Sequence, residues 1–262
     1  MVAAPDNYFR ADGWWYYYIY AAALKVPVGL WLLCLLALAA PLWVTQRWPH
    51  WRNTMIVVVP ATVLGVLVSV QTGRMSNFRF ALPILPFLFI LASRSARLFE
   101  VHKRWMHALA VAALTWSIAS SLWIYPHSLS FFNELAGGPH HGAAHLVGSN
   151  IDWGQDALFL RNWMSQHPDA KPLYLTYYGA CDPKYVGLIT DGAVIPSGRD
   201  KVGLEGQRSC WYGCSLNYIV WSGRGAAKYN TGGLPALSIP NRPPDSKAGY
   251  SIWLWHIDRN AR

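Results

Sequence analysis

Two arginines stand in a short stretch between apolar segments, where their guanidinium groups suit phosphate binding. Arg74 and Arg79 lie in QTGRMSNFRFALPILP (71–86). A guanidinium group donates two parallel hydrogen bonds to phosphate oxygens. An arginine beside an apolar segment can instead anchor a helix at a membrane interface by extending its charge toward water. The residues leave both roles open, and the same two alternatives hold for Lys25, which lies just before Pro27 at the start of an apolar run.

The other residues that could take part in catalysis or metal binding do not occur at the spacing of a known motif. Adjacent histidines at 140 and 141 lie in a Gly/Pro-rich loop, where a solvated role is favoured over a metal site. The sequence contains no P-loop, nucleophile elbow, HExxH or dinucleotide fingerprint. It therefore predicts no catalytic residue, no cofactor and no metal. Four acids are candidates for a general base, or for solvated and helix-capping residues: Asp6, Asp12, Glu134 and Asp152.

Composition indicates the elements that must position these residues. Hydrophobic residues make up 53% of the 262 residues and charged residues only 13%, against roughly 25% charged in a typical soluble domain. Uncharged runs long enough to cross a hydrocarbon core of ~30 Å predict about four transmembrane helices. The third is short and contains Pro83 and Pro86, which weaken it. The predicted spans are 26–44, 54–73, 80–93 and 105–125.

The charges flanking these segments predict their orientation. Four spans place the basic residues of 45–53 on the same side as those of 94–104, as expected for cytoplasmic loops. Three spans would place the basic residues of 74–104 together outside. We therefore expect a multi-pass cell-membrane protein with a transmembrane region over 1–125 and an extracytoplasmic domain over 126–262. The net charge of +9 sets orientation in this interpretation, and nucleic acid is not an expected partner.

Residues 126–262 have the pattern of a small α/β domain. A helix is predicted at about 154–166, with Asp152 or Asn150 as its N-cap. Strands are predicted at 172–180, 185–189, 216–223 and 250–258 from short aromatic-rich runs bounded by turn residues. Helix and strands together predict an α/β fold.

Cysteine placement predicts one disulfide in this domain. Cys34 lies within an apolar run and is interpreted as a packing residue. The other three lie in the expected extracytoplasmic domain, where disulfides persist. Cys181 is predicted to pair with either Cys210 or Cys214. Zinc is disfavoured because no second ligand pair lies near Cys210 and Cys214.

Four stretches of the chain resemble glycosyltransferase family 39, the multi-spanning protein-mannosyltransferase-like enzymes, and the related aminoarabinose transferases. RFALPILPFLFILAS is similar to their Arg-aromatic-x-Leu-Pro-x-x-Pro segment, and GWWYYYIYAAALKVPVGLWLL to their Lys-x-Pro entry to a late helix. SLSFFNELAGGPHHGAAHLVGSNIDWGQD resembles a segment after the last span of bacterial members, and GYSIWLWHID resembles their terminal strand. The third match is the most specific.

The resemblance implies transfer of a sugar from a polyprenyl-phosphate donor at the outer membrane face. It assigns Arg79 and, as a lesser partner, Lys25 to the lipid phosphate, and Arg74 is a further lesser candidate because it lies in the same short stretch as Arg79. The aspartate that serves as base in the family lies in a first outer loop that has no match here. The expected function is therefore the C-terminal part of such an enzyme, with membrane lipid and a missing N-terminal half as partners. The alternative is a non-enzymatic membrane protein whose exported domain binds a glycan or a protein.

Overall fold

The computed structural model of the chain describes residues 16–40, 51–71, 77–100, 103–188, 194–195, 209–224 and 242–258. These residues divide into two compact units. The first, called here the helical unit, covers the described residues from 16 to 138. The second, the α/β unit, covers those from 139 to 258.

The helical unit consists of five α-helices with 3-10 segments at several of their ends. The helices are α1 (Tyr17–Lys25), α2 (Val28–Ala39), α3 (Trp51–Gln71), α4 (Leu85–Ser93) and α5 (Arg104–Trp123). A 3-10 helix, Phe78–Ile84, leads directly into α4, and a second one, Arg94–Glu100, follows it. Two short 3-10 turns, Ser128–Ser130 and Glu134–Ala136, follow α5.

Three stretches of the described residues are long and apolar enough to cross a membrane: Asn53–Val70, Phe78–Glu100 and Arg104–Trp123. The prediction for the third span was too short, because 3-10 segments extend the helical stretch at both ends. Of the predicted first span, 26–44, the described residues contain only the short helix α2. Helices α1 and α2 meet at an angle of 107°, and they count as a fourth candidate only if the bent pair is one span. Pro27, which stands immediately before α2, explains the break, because proline cannot continue the preceding helix.

Helix α2 lies at the centre of the helical unit. Its Leu30, Leu33 and Cys34 pack with Ala92 of α4 and Ala113 of α5 in one buried cluster. Gly29 allows the close approach of α2 to α5. A Cβ atom at this position would lie 2.7 Å from the backbone nitrogen of Ser117 and closer still to the carbonyl oxygen of Ala113. This contact explains a glycine inside an otherwise strongly helix-forming run.

The α/β unit contains a five-stranded mixed sheet. Its strands are β1 (Leu173–Thr176), β2 (Val194–Ile195), β3 (Ser209–Ser215), β4 (Ser246–Ala248) and β5 (Ile252–Asp258), in the order β2-β1-β3-β5-β4. β1 is parallel to β2 and to β3, whereas β5 is antiparallel to β3 and to β4. Helices α6 (Ala157–Gln166) and α7 (Leu216–Arg224) complete the unit.

The structure of the α/β unit differs from two of the strand predictions. The strands predicted at 172–180 and 250–258 and the helix at 154–166 are confirmed, with α6 beginning at Ala157. The strand predicted at 216–223 is wrong, because α7 occupies it. Leu216, Asn217 and Val220 are buried, a helical spacing that a short apolar run does not distinguish from a strand. The strand predicted at 185–189 is also wrong, since a 3-10 helix, Pro183–Val186, lies there.

Candidate functional site

A single asparagine of the helical unit forms hydrogen bonds with the backbone at the break between α1 and α2. The end of α1 leaves backbone carbonyls without helical partners. Asn133, 1% exposed, donates from its side-chain amide to the carbonyls of Ala23 (2.6 Å) and Val26 (2.7 Å). Its backbone N–H donates to the carbonyl of Leu24 at 2.8 Å. The FFNEL motif therefore serves to hold a broken helix in place.

Lys25 is directed into the same segment. Its ammonium group donates to the carbonyl of Leu129 at 2.8 Å and lies 4.0 Å from the centroid of the Phe132 ring. These contacts fix the chain that follows α5 against the end of α1. The ammonium group is thus engaged by the protein itself.

An apolar cavity of about 560 Å³ lies within the helical unit. The side chains around it come from α1, α2, α3 and the Phe78–Ile84 helix with α4. The polar side chains of α3 on this wall are satisfied within their own helix: Thr62 donates to Val58 and Ser69 to Gly65. The indole N–H of Trp31 is buried and has no acceptor among the described residues. The cavity therefore suits an apolar chain.

Arg79 stands on one wall element of this cavity. Phe78 and Ala81 of the same 3-10 helix line the cavity, while Arg79 is exposed. Its guanidinium carbon lies 5.1 Å from the centroid of the adjacent Phe80 ring. Arg74, the second predicted phosphate ligand, lies outside the described residues.

A second candidate site lies in the α/β unit, at the carboxyl ends of β1 and β3. The chain continues from β1 toward β2 on one side and from β3 toward β5 on the other, and such a switch point is where α/β sheets commonly bind ligands. The loop 148–156 lies at this position. The hydroxyl of Tyr177, which follows β1, donates to the carbonyl of Gly154 at 2.9 Å. Asn217, which follows β3, accepts from the N–H of Gly148 at 2.7 Å.

Two aspartates of this loop are fully buried, with 0% exposure each. Asp156 Oδ2 accepts from the backbone N–H groups of Tyr250 (2.8 Å) and Ser251 (2.7 Å), which attaches the turn before β5 to the start of α6. Asp152 Oδ1 accepts from the N–H of Gly154 at 2.9 Å, but Oδ2 has no hydrogen-bond partner among the described residues. Burial, followed by the nearby charge of Asp156, raises the pKa of Asp152 to about 7.

No family model, curated protein or solved structure matches this chain. The function is therefore inferred from the geometry of the two units and from the sequence motifs. Sequence reasoning missed the roles of Asn133, Asp156 and Asn217, and the predicted capping role of Asp152 is wrong. The residue before α6 is Asp156, and its side chain makes no capping bond.

The remaining predicted site residues are placed as follows. Cys181 is exposed, Cys210 and Cys214 are buried, and all three are free thiols in this structure. Cys210 and Cys214 both lie on β3. Glu134 accepts from the indole N–H of Trp116 at 3.1 Å. The candidate bases Asp6 and Asp12 lie outside the described residues.

His140 is held by an aromatic contact. Its ring centroid lies 5.0 Å from that of Tyr250. Burial, then the charges of Lys247 and His141, lower the pKa of His140. Among the described residues there is no group of three or more His, Cys, Asp or Glu side chains that could hold a metal ion.

Proposed function

We propose that this chain is the C-terminal part of a membrane glycosyltransferase that uses a polyprenyl-phosphate-linked sugar at the outer membrane face. Its helices cross the membrane about four times, and its α/β unit lies outside the cytoplasm. The catalytic base comes from a segment other than the described residues. The proposal rests on the motif resemblance and on one observation, the apolar cavity with Arg79 on its wall.

The cavity and the arginine are complementary to the two parts of a polyprenyl phosphate. Apolar side chains of four helical segments offer a wall for the isoprenoid, as in small-molecule sites that are mostly apolar with a few polar groups. Arg79 is exposed on the same 3-10 helix as Phe78 and Ala81, so its guanidinium group can reach the charged end of a bound lipid. Lys25 is a lesser candidate because Leu129 and Phe132 engage its ammonium group.

The test is polyprenyl-phosphate binding by the full chain in nanodiscs. Arg79→Ala should lose most of the binding, and Arg79→Lys should lose a clear part, because lysine keeps the charge but not the two-pronged geometry. Arg104, exposed at the start of α5, provides matched controls as Arg104→Ala and Arg104→Lys. Equal affinity of wild type and both Arg79 variants, with folding intact, would leave Arg79 as an interfacial anchor.

Reporter fusions test the proposed orientation. Alkaline phosphatase joined after Arg262 should be active. The basic residues of 94–104 keep the start of α5 on the cytoplasmic side, so the chain after α5 lies on the opposite side of the membrane. Cytoplasmic β-galactosidase activity at the same junction would overturn the topology.

A second candidate function, glycan binding by the α/β unit, is favoured by one exposed and two half-buried aromatic rings at the 148–156 loop. Trp153 is 49% exposed and stacks on Tyr178, with ring centroids 5.9 Å apart and an interplanar angle of 23°. Tyr178 in turn meets the edge of Tyr218 at 5.9 Å. Trp153→Ala should abolish glycan binding if this function is correct, whereas Tyr185→Ala, an exposed control, should not. Unchanged binding in Trp153→Ala would reject it.

A further inference from the structure

Two buried polar atoms lie at the junction of the 148–156 loop with the turn before β5, and neither has a hydrogen-bond partner among the described residues. They are Asp152 Oδ2 and Ser251 Oγ, on residues that are each 0% exposed. The Ser251 and Ser215 hydroxyl groups lie near the Asp152 carboxyl group and favour its charge, yet none makes a hydrogen bond of good geometry to Oδ2. Buried polar atoms are nearly always paired, so these two atoms require an explanation.

Several backbone groups of the same junction are hydrogen-bonded. Ser251 donates its N–H to Asp156 and accepts from the N–H of Leu216 at 2.7 Å. Asn217 donates to the carbonyls of Gly148 (3.3 Å) and Asp152 (3.5 Å). The side-chain atoms of Asp152 and Ser251 are therefore the place where a proton would change the hydrogen bonding.

The titratable groups facing Asp152 include no cation among the described residues. From the start of α6 it faces Asp156, from the end of β1 Tyr177, and from β3 Cys214. On the far side of the turn, His140 packs on Tyr250 and is influenced by Lys247 and His141. The Asp156 carboxyl group accepts from two backbone N–H groups, and a second buried carboxylate beside it is unfavourable.

We infer that Asp152 is a proton-binding residue that locks the 249–251 turn to the 148–156 loop. A proton on Asp152 removes one of two neighbouring buried carboxylate charges, and it makes the carboxyl group a possible donor to a nearby hydroxyl such as that of Ser251. Loss of the proton leaves two buried carboxylates side by side and loosens the junction. The ends of the parallel strands thereby become sensitive to pH near neutrality.

The sign of the effect follows from linkage. Asp152 has a pKa of about 7 in the folded protein and an ordinary value of 3.8. Between these values the folded state binds the extra proton, so stability falls as pH rises, by up to about tenfold in the folding equilibrium per pH unit. Below the ordinary pKa of Asp152 and above its pKa in the folded protein, its contribution to folding stability does not change with pH. The effect of His140 on stability has the opposite sign. Because its pKa is lowered in the folded protein, its contribution to folding stability rises with pH.

Hydrogen exchange of the full chain in detergent tests the lock. The measured quantity is the protection of peptides covering 246–258 in wild type divided by that in Asp152→Asn at the same pH. This ratio should fall by about tenfold or more from about pH 5 to about pH 8. It should fall in the same way in a His140→Asn background. A ratio that is constant or rises with pH overturns the inference.

Infrared spectroscopy of the wild type provides a second readout that does not depend on the variant folding. With isotope-labelled aspartate, the C=O stretch of a protonated carboxylic acid should persist at about pH 6, where exposed aspartates are ionised. Asp152→Asn, where it folds, should lack the band. Absence of a protonated aspartate at that pH in the wild type overturns the inference.

Discussion

Each unit contains a buried side chain that ties a loop to neighbouring backbone, but the two differ in charge. Asn133 of the helical unit offers neutral donors, and both hydrogen bonds that its side chain donates go to carbonyls left over at the break after α1. Asp152 of the α/β unit is an acid with one oxygen satisfied and one without a partner among the described residues. The Asn133 contact should therefore not respond to pH, whereas the Asp152 contact should.

The difference shows how two neighbouring loops, each with a buried polar side chain, can have different physical consequences. FFNEL and NIDWGQD lie within 25 residues of each other, between 131 and 156. In the first, every buried side-chain donor of Asn133 has a partner, so the contact stabilises one fixed geometry. In the second, Asp156 has its partners while Asp152 lacks one, so a single proton decides the hydrogen bonding.

The largest effect is expected from Asn133→Asp. The substitution keeps the shape but removes both amide donors, which leaves the carbonyls of Ala23 and Val26 unsatisfied and places a charge beside them. We expect a loss of about 2–6 kcal/mol, from about 1–3 kcal/mol for each of the two unsatisfied carbonyls. Thermal unfolding of the full chain in detergent measures it. Asn53→Asp, at an exposed position of α3, is the matched control. Equal losses in both variants would contradict the role of Asn133.

Gly29→Ala should have the next largest effect. The added Cβ would collide with the backbone of α5 at Ala113 and Ser117, and overpacking of this kind costs about 1–3 kcal/mol. Gly65→Ala of α3 is the control with the opposite expected sign. Its nearest neighbour would be the Ile84 side chain at 3.8 Å, an ordinary contact. Since alanine favours a helix by about 0.5–1 kcal/mol over glycine, this variant should be stabilised. Equal effects at both positions would exclude the close approach of α2 and α5.

The two buried aspartates should differ in how their substitution by asparagine changes stability. Asp156→Asn weakens two charge-assisted hydrogen bonds to Tyr250 and Ser251, which should cost about 1–3 kcal/mol at about pH 8. Asp152→Asn should be neutral or stabilising at the same pH, because it removes a buried carboxylate with an unsatisfied oxygen. Unfolding monitored by tryptophan fluorescence compares the two. A larger loss in Asp152→Asn would reverse the roles assigned to these residues.

The apolar helices could be predicted from sequence, but the polar contacts that hold them could not. Length and hydropathy located the three candidate spans, because those properties are local. The partner of the broken α1–α2 pair is Asn133, more than a hundred residues away along the chain. Nothing in the FFNEL stretch indicates which carbonyls its asparagine will meet.

In the α/β unit, β3 was missed because its sequence, SCWYGCS, is rich in small residues. Gly213 occupies a narrow site between Leu175 of β1 and Leu254 of β5, where an added Cβ would lie 3.0 and 3.1 Å from their side chains. The requirement for a small residue arises from neighbouring strands and is invisible in the strand itself. The burial of Asp152 was likewise not predictable, since a loop aspartate before a helix is ordinarily a capping residue.

The smallest effect on stability, and the last test of the α/β unit, concerns its cysteines. Cys214 is buried on β3, and burial raises its pKa to about 12, so its thiolate is scarce at neutral pH. Cys210 is also buried, while Cys181 is exposed after β1. Because thiolate and access determine reactivity, a maleimide should label the native chain at Cys181 first. Cys181→Ser should remove nearly all fast labelling at unchanged stability, and denaturant should expose the other thiols. Labelling of Cys181 that begins only after a reductant is added would instead place it in the disulfide predicted from sequence.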